Sequence, residues 1–407
     1  MKKFLALLLV ISLLALSFAG CNNFEKTPDN DETTVDTIIE QLPRTEPSPA
    51  SDFQYYEDNI GGIVIVKYEG TDEHVFIPST INNLPVTTIQ PGAFRGAESV
   101  KSVVISKNIT VIEEGAFFTC TNLVSFFVEG DNEYYSSQNG VLYNKDKSKI
   151  VSFPLSKQDS YIIPNSVKSI ERFAFFNCTG ITNINIPFGI EMIDSRAFNN
   201  CPNLVNINVD ADNKFYSSLN GALYNKNQSM LIAVPGGKTN TFEIPDSVNN
   251  IGPYAFYGCE KITNIIIPDS VTDMGTFAFS RCSIKNITLP DGIKKIEGSL
   301  FCSCTSLKSI VIPDSVTEIA SMAFFQCTSL TDVHLPSGLI CMEDRVFSRC
   351  TALTDIVIPE NVETIGAVLF QNCNHVNIYV KKESQPEGWD STWNYLNFPV
   401  VWGYTGS

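Results

Sequence analysis

The sequence predicts a β-rich solenoid: a curved, elongated single repeat domain with capped ends, wound in coils of about 23 residues with short helical turns. Spacing is the first observation behind this. Cys178 to Cys201 and Cys259 to Cys282 are 23 residues apart, Cys282 to Cys304 is 22, and Cys327, Cys350 and Cys373 follow at intervals of 23. The second is a phenylalanine three residues before each of these cysteines and before Cys120, from Phe117 to Phe370; Phe94 stands three before Ala97, so ten units share the frame. The third is an internal duplication. Cys120 to Cys178 and Cys201 to Cys259 are each 58 residues, one coil plus an insertion of 35, and the insertions YYSSQNGVLYNKDKSKIVSFP (134–154) and FYSSLNGALYNKNQSMLIAVP (215–235) are copies displaced by 81.

Each part of a unit has a physical reading, taken from LTDIVIPENVETIGAVLFQNC (353–373). The β-branched stretch before Pro359 is a short strand, stopped by a residue that cannot donate to a ladder. Val362 to Ile365 is a second extended stretch, and the segment from Ala367 to Cys373 is a short helical turn closing the coil. One unit cannot bury its own apolar side, so stacking must supply the core, with adjacent strands about 4.8 Å apart. Equivalent cysteines on stacked coils then run parallel, which suits neither disulfide geometry nor convergence on a tetrahedral metal. The nine repeated cysteines are therefore expected as buried thiols. Cys302 and Cys341 lie off this ladder.

The ends divide the chain further. Residues 1–20, with Lys2, Lys3 and an apolar run too short for a comfortable bilayer span, read as an export signal peptide. Phe18-Ala19-Gly20-Cys21 resembles the lipobox of bacterial lipoproteins, which implies a lipid anchor on Cys21. Residues 21–52 carry eight acids against Lys26 and Arg44 and are expected as a flexible tether. An N-terminal cap and first coil occupy 53–97, the solenoid 98–380 with hairpin inserts near 129–160 and 210–241, and an aromatic cap with all three tryptophans 381–407.

Composition narrows the function classes. A net charge of −16 without a basic patch argues against nucleic acid. The three histidines, His74, His334 and His375, are not spaced as a metal pair, no phosphate-cradling glycine loop is present, and a repeated Phe or Cys is not a catalytic residue. A non-enzymatic chain with no cofactor is expected.

The segment IPDSVTEIASMAFFQCTSL (312–330) resembles the BspA-type leucine-rich repeats of bacterial surface proteins, and the resemblance spans roughly residues 76–380. It departs from the general leucine-rich pattern in placing Pro after the strand and Cys before the first Leu. What the resemblance implies is a cell-surface solenoid used in adhesion or other contacts with proteins. An extracellular protein or glycoprotein is the expected partner, with a carbohydrate receptor or a structural spacer as the alternatives. Outward strand positions offer Phe127, Asn185, Asn208 and His334 as a candidate ligand surface, and the inserts offer Tyr143 and Tyr224, either as aromatic contact area or as side chains that pack the hairpins onto the coils. Stacked small polar residues could equally bond to one another along the ladder.

Overall fold

The computed structural model describes residues 44–406; the stretches expected as signal peptide, lipidated Cys21 and the first part of the tether lie outside them. The chain winds a β-solenoid of about 15 turns. Two rows of parallel strands run along it. The long row includes Ser102–Ile105 paired with Ser125–Val128, Ile181–Ile186 with Asn206–Val209, and Asp355–Ile358 with Asn377–Val380. The short row is made of two-residue strands such as Lys295–Ile296, Glu318–Ile319, Cys341–Met342 and Thr364–Ile365.

The closing segments are turns, not the helical turns the sequence predicts: among the described residues the only helical element is the 3-10 turn Ala50–Asp52. The reason is local. In most coils the residue two before the ladder phenylalanine and the residue before the ladder cysteine are left-handed, as at Tyr254 and Gly258, Ser299 and Ser303, and Arg345 and Arg349. A left-handed residue breaks the α-helical progression at once, leaving i to i+3 bonds such as Phe301 O accepting from Cys304 N at 3.0 Å. Such a residue costs about 1–2 kcal/mol when it is not glycine. Stacking offsets it by burying Phe256, Phe279, Phe301, Phe324, Phe347 and Phe370 completely, with successive rings stacked 5.3–5.9 Å apart.

The ladder cysteines do more than fill space. Cys304 Sγ donates to Phe279 O at 3.0 Å, Cys327 to Phe301 O and Cys350 to Phe324 O at 3.1 Å, and Cys373 to Phe347 O at 3.2 Å. Each phenylalanine carbonyl thus accepts its own coil's Cys N–H and, with its other lone pair, a thiol from the next coil. Burial pushes the Cys304 thiol up to about 12, so these sulfurs stay protonated donors.

The inserts depart most from expectation. Each is a three-stranded antiparallel unit: Tyr135–Gln138, Val141–Asn144 and Lys149–Ser152 in the first, Tyr216–Leu219, Ala222–Asn225 and Met230–Ala233 in the second. Asn139-Gly140 and Asn220-Gly221 close the first hairpin of each with φ of 51° and 76°, and 52° and 73°, the left-handed pair that a two-residue turn needs. The third strand joins the short row, and Phe153 and Val234 occupy the ladder position of the phenylalanines, donating to Ala174 O and Ala255 O. Each insert is therefore an extra coil with a plate laid across the stack. In the first plate Leu142 packs with the preceding core and Val141 and Tyr143 with the following one; in the second, Leu223 faces back and Ala222 and Tyr224 face forward. The apolar interior is divided into three clusters in this way.

The ends are covered by aromatic residues. Trp389 and Trp393 are buried, 4.9 Å apart edge to face, and Trp393 O accepts from Leu369 N at 2.9 Å. At the other end, residues 44–52, read from sequence as tether, lie against the first coil. Arg44 pairs with Asp72, and buried Ser48 donates its N–H to Phe76 O at 2.8 Å.

Candidate functional site

The long-strand row leaves one of its two side-chain rows to solvent, and most candidate residues sit there. The row is paired in blocks: Ile162, Asn185 and Asn208; Glu243 and Ile266; Val311 and His334; and Val357, Tyr379 and Val401, with Phe127 opposite the buried Val104 in the first block. Ile162 and Glu243 belong to the row because Asp159–Ile162 and Asn240–Glu243 continue it inside the inserts. The segments Ile162-Ile163-Pro164 and Glu243-Ile244-Pro245 carry the strand-then-proline signal that could have placed them from sequence.

The row does not gather the candidates into one place. Asn208 Nδ2 donates to Asn185 Oδ1 at 2.9 Å, and beside them Asn206 donates to Asn183 at 2.8 Å, which donates in turn to Ser160 Oγ at 3.2 Å. These amides satisfy one another along the ladder. Phe127 is half-buried beside the first insert. Tyr143 and Tyr224 are 1% and 0% exposed and present nothing to a ligand, which corrects their place in the candidate ligand surface and leaves the packing role. Tyr143 hydrogen-bonds Tyr161 inside the core, and burial pushes both Tyr143 and Tyr224 up to about 12. They are buried because the insert strand crosses the stack instead of projecting from it.

His334 is the exception. It lies exposed in a groove of about 560 Å³ that also takes in Asp332, Asp355, Val357, Tyr379 and Tyr404. Its Nδ1 is 3.4 Å from Asp332 Oδ1. Asn377 donates to Asp355 Oδ1 at 2.9 Å, and this bond, helped by Thr354 and Tyr379, holds the Asp355 carboxyl below its ordinary range. Tyr379 and Tyr404 pack at 4.8 Å with their planes tilted by 45°. The groove thus combines two tyrosine rings, the carboxylates of Asp332, Asp355 and Glu360, the Lys381 amine and an imidazole on the outward face of consecutive coils. Sequence reading found His334 but not Tyr404, which lies past the last strand, Val400–Trp402, and returns to the groove only because Tyr404 N bonds Val380 O at 3.0 Å.

Among the described residues no group of three or more His, Cys, Asp or Glu side chains is arranged to hold a metal. Cys302 and Cys341, the two cysteines off the ladder, are half-buried.

A family model described as the BspA type leucine rich repeat region matches in six copies, over residues 73–162, 151–237, 235–339 and 278–386. The chain belongs to the BspA-type leucine-rich-repeat family. A leucine-rich repeat protein from Eubacterium ventriosum is similar in structure, with a TM-score of 0.51 at 21% identity over 83% of this chain and 95% of that one, a likeness that shows the fold. A leucine rich cell surface protein from Faecalibacterium prausnitzii aligns at 23% identity over 89% and 99% of the two chains with a TM-score of 0.46. No curated protein matches the chain.

Proposed function

We propose that this family member is an exported, non-catalytic surface protein, lipid-anchored at Cys21, that binds an extracellular protein or glycoprotein through its outward strand row. The export reading rests on Lys2, Lys3, the apolar run that follows and Cys21. The observation that carries the binding reading is the groove around His334, where aromatic and charged side chains converge on a repeat scaffold whose other long-row polar positions largely bond to one another. Side chains left outside the ladder are the ones available to a partner.

The test is binding of residues 22–407 to an array of matrix proteins, mucins and free glycans, repeated with His334→Ala and Tyr379→Ala. Saturable binding to a protein, lost in both variants and indifferent to free saccharide, is the expected result. The Tyr379 and Tyr404 pair beside Asp332 and Asp355 favours one second reading, since a ring face flanked by carboxylates also suits a sugar; competition by free saccharide would select it. Binding untouched by either substitution would remove the groove from consideration.

A further inference from the structure

The turn edge around the first insert carries a feature the strand row does not explain. Positions two before and one after the ladder phenylalanine run along the turn edge of the coils, and in the C-terminal coils they include the half-buried Cys302 and Gln371 and the buried Ser299 and Ser348. Around the first insert they are Phe118, Phe173 and Phe176, half-buried, with ring centres 4.9–5.2 Å apart. No core demand accounts for them, because the ladder phenylalanines already fill the interior.

These rings line a cavity of about 220 Å³ that also takes in Gly115. The second copy shows what occupies the same corner otherwise: Arg196 stands at the position of Gly115, its guanidinium 4.6 Å over the Tyr254 ring. A Cβ at Gly115 would come within 2.5 Å of the Phe118 ring, so only a residue without a side chain leaves the space open beside Phe118 as it stands. An apolar cavity of about 150 Å³ admits a benzene ring, so this one holds a single substituted ring. The charges around it are Glu113, Glu114 and Glu171 against Lys149 and Arg172. Arg172 pairs with Glu114 at 3.1 Å and Lys149 with Glu171 at 3.4 Å, while Glu113 is exposed and has no ion pair among the described residues. Among the charged residues lining the pocket itself the one left without an ion pair is therefore negative, while on the neighbouring edge Arg196 lies 5.9 Å over the Phe173 ring.

We propose that this pocket seats an aromatic side chain of a protein partner, with a basic residue next to it facing Glu113. A macromolecule fits better than a free small molecule because the pocket opens onto a broader edge of Arg196, Tyr254, Tyr257 and Phe277, the last stacked on Tyr254 at 5.0 Å and 5°. Aromatic residues and arginine are the side chains enriched at protein contact sites and at their energetic centres. None of these residues belongs to the groove around His334, so this site and the proposed function above stand or fall separately.

The probe is the capped hexapeptide acetyl-Gly-Gly-Tyr-Lys-Gly-Gly-amide, titrated into residues 22–407 and followed by saturation-transfer NMR. Binding is expected, lost when the peptide tyrosine is replaced by alanine and weakened about three- to five-fold when its lysine is replaced by glutamate. Phe118→Ser and Phe176→Ser should each abolish it. The array already carries serine at that turn position as Ser280 and Ser348, so the turn accepts the residue, and a cooperative melting transition in each variant verifies that the fold is kept. Phe325→Ser, the same turn position on a distant coil, and His334→Ala in the groove should leave binding as it was. Absence of peptide binding, binding that survives Phe176→Ser, or a preference for glutamate over lysine would each overturn the proposal. Free tyramine binding as tightly as the peptide would overturn the protein partner in favour of a small ligand.

Discussion

The two inserts are one design executed twice, and the positions at which they differ separate what the fold requires from what it leaves open. Both copies keep a buried asparagine, Asn132 and Asn213. Its side chain donates to two carbonyls of the preceding coil and accepts from the N–H groups two and three residues further on, at 2.7–3.0 Å. Both keep a tyrosine, Tyr135 and Tyr216, whose hydroxyl accepts from the N–H of the last short strand that the ladder leaves unpaired, Ile112 at 2.8 Å and Ile193 at 3.0 Å. These side chains end a backbone ladder that the plate interrupts, so neither copy can change them without stranding buried polar groups. The copies differ elsewhere: Tyr161 faces Tyr143 where Phe242 stands near Tyr224, and Gly115, Glu171 and Arg172 stand where the second copy has Arg196, Gly252 and Pro253.

Substitutions placed in pairs test this division. Tyr143→Ala and Tyr224→Ala should cost the most, about 3–5 kcal/mol each by urea unfolding, since both rings sit in a packed interior; a loss under 1 kcal/mol in either would mean that the plate does not cross the core. Next come Asn132→Ala and Asn213→Ala, about 2–4 kcal/mol each, with the two copies agreeing closely because their bonds match. Removing only a hydroxyl should then split the copies. Tyr143→Phe leaves Tyr161 without its partner and costs about 1–2 kcal/mol, whereas Tyr224→Phe, with no such partner, should be close to neutral. The smallest effect at neutral pH is titration of these phenols. Their folded-state values are raised to about 12, so their contribution is complete below pH 10, where the unfolded chain's tyrosines begin to ionise, and is lost as pH climbs from 10 toward 12. Unfolding followed at 295 nm should show wild type losing stability over that window faster than a Tyr143→Phe, Tyr224→Phe double variant.

Much of the architecture was legible because the period is written in large residues: a phenylalanine and a cysteine every 23 positions leave little choice but stacked coils. The turns were misread as helical because the side chains at their left-handed positions are ordinary ones such as Tyr254, Phe277 and Val368, which give no local sign of positive φ. Asn139-Gly140 and Asn220-Gly221, by contrast, are strong hairpin signals, and reading them would have supplied the missing insert strand. Even so, no local pattern says whether a hairpin lies on a surface or passes between two coils. That depends on Leu142 and Tyr143 finding apolar partners on opposite sides, which are set by coils far apart in sequence. The groove was half legible for a similar reason: His334 follows from strand register, whereas Tyr404 reaches it only through the path of the C-terminal segment.

The plates also bear on how the solenoid would meet a pull along its stack. A ship's hull survives a breach when bulkheads confine the water to one hold. With the interior split into three holds by Val141–Asn144 and Ala222–Asn225, a coil torn open at one place floods as far as the nearest partition. The holds beyond stay dry.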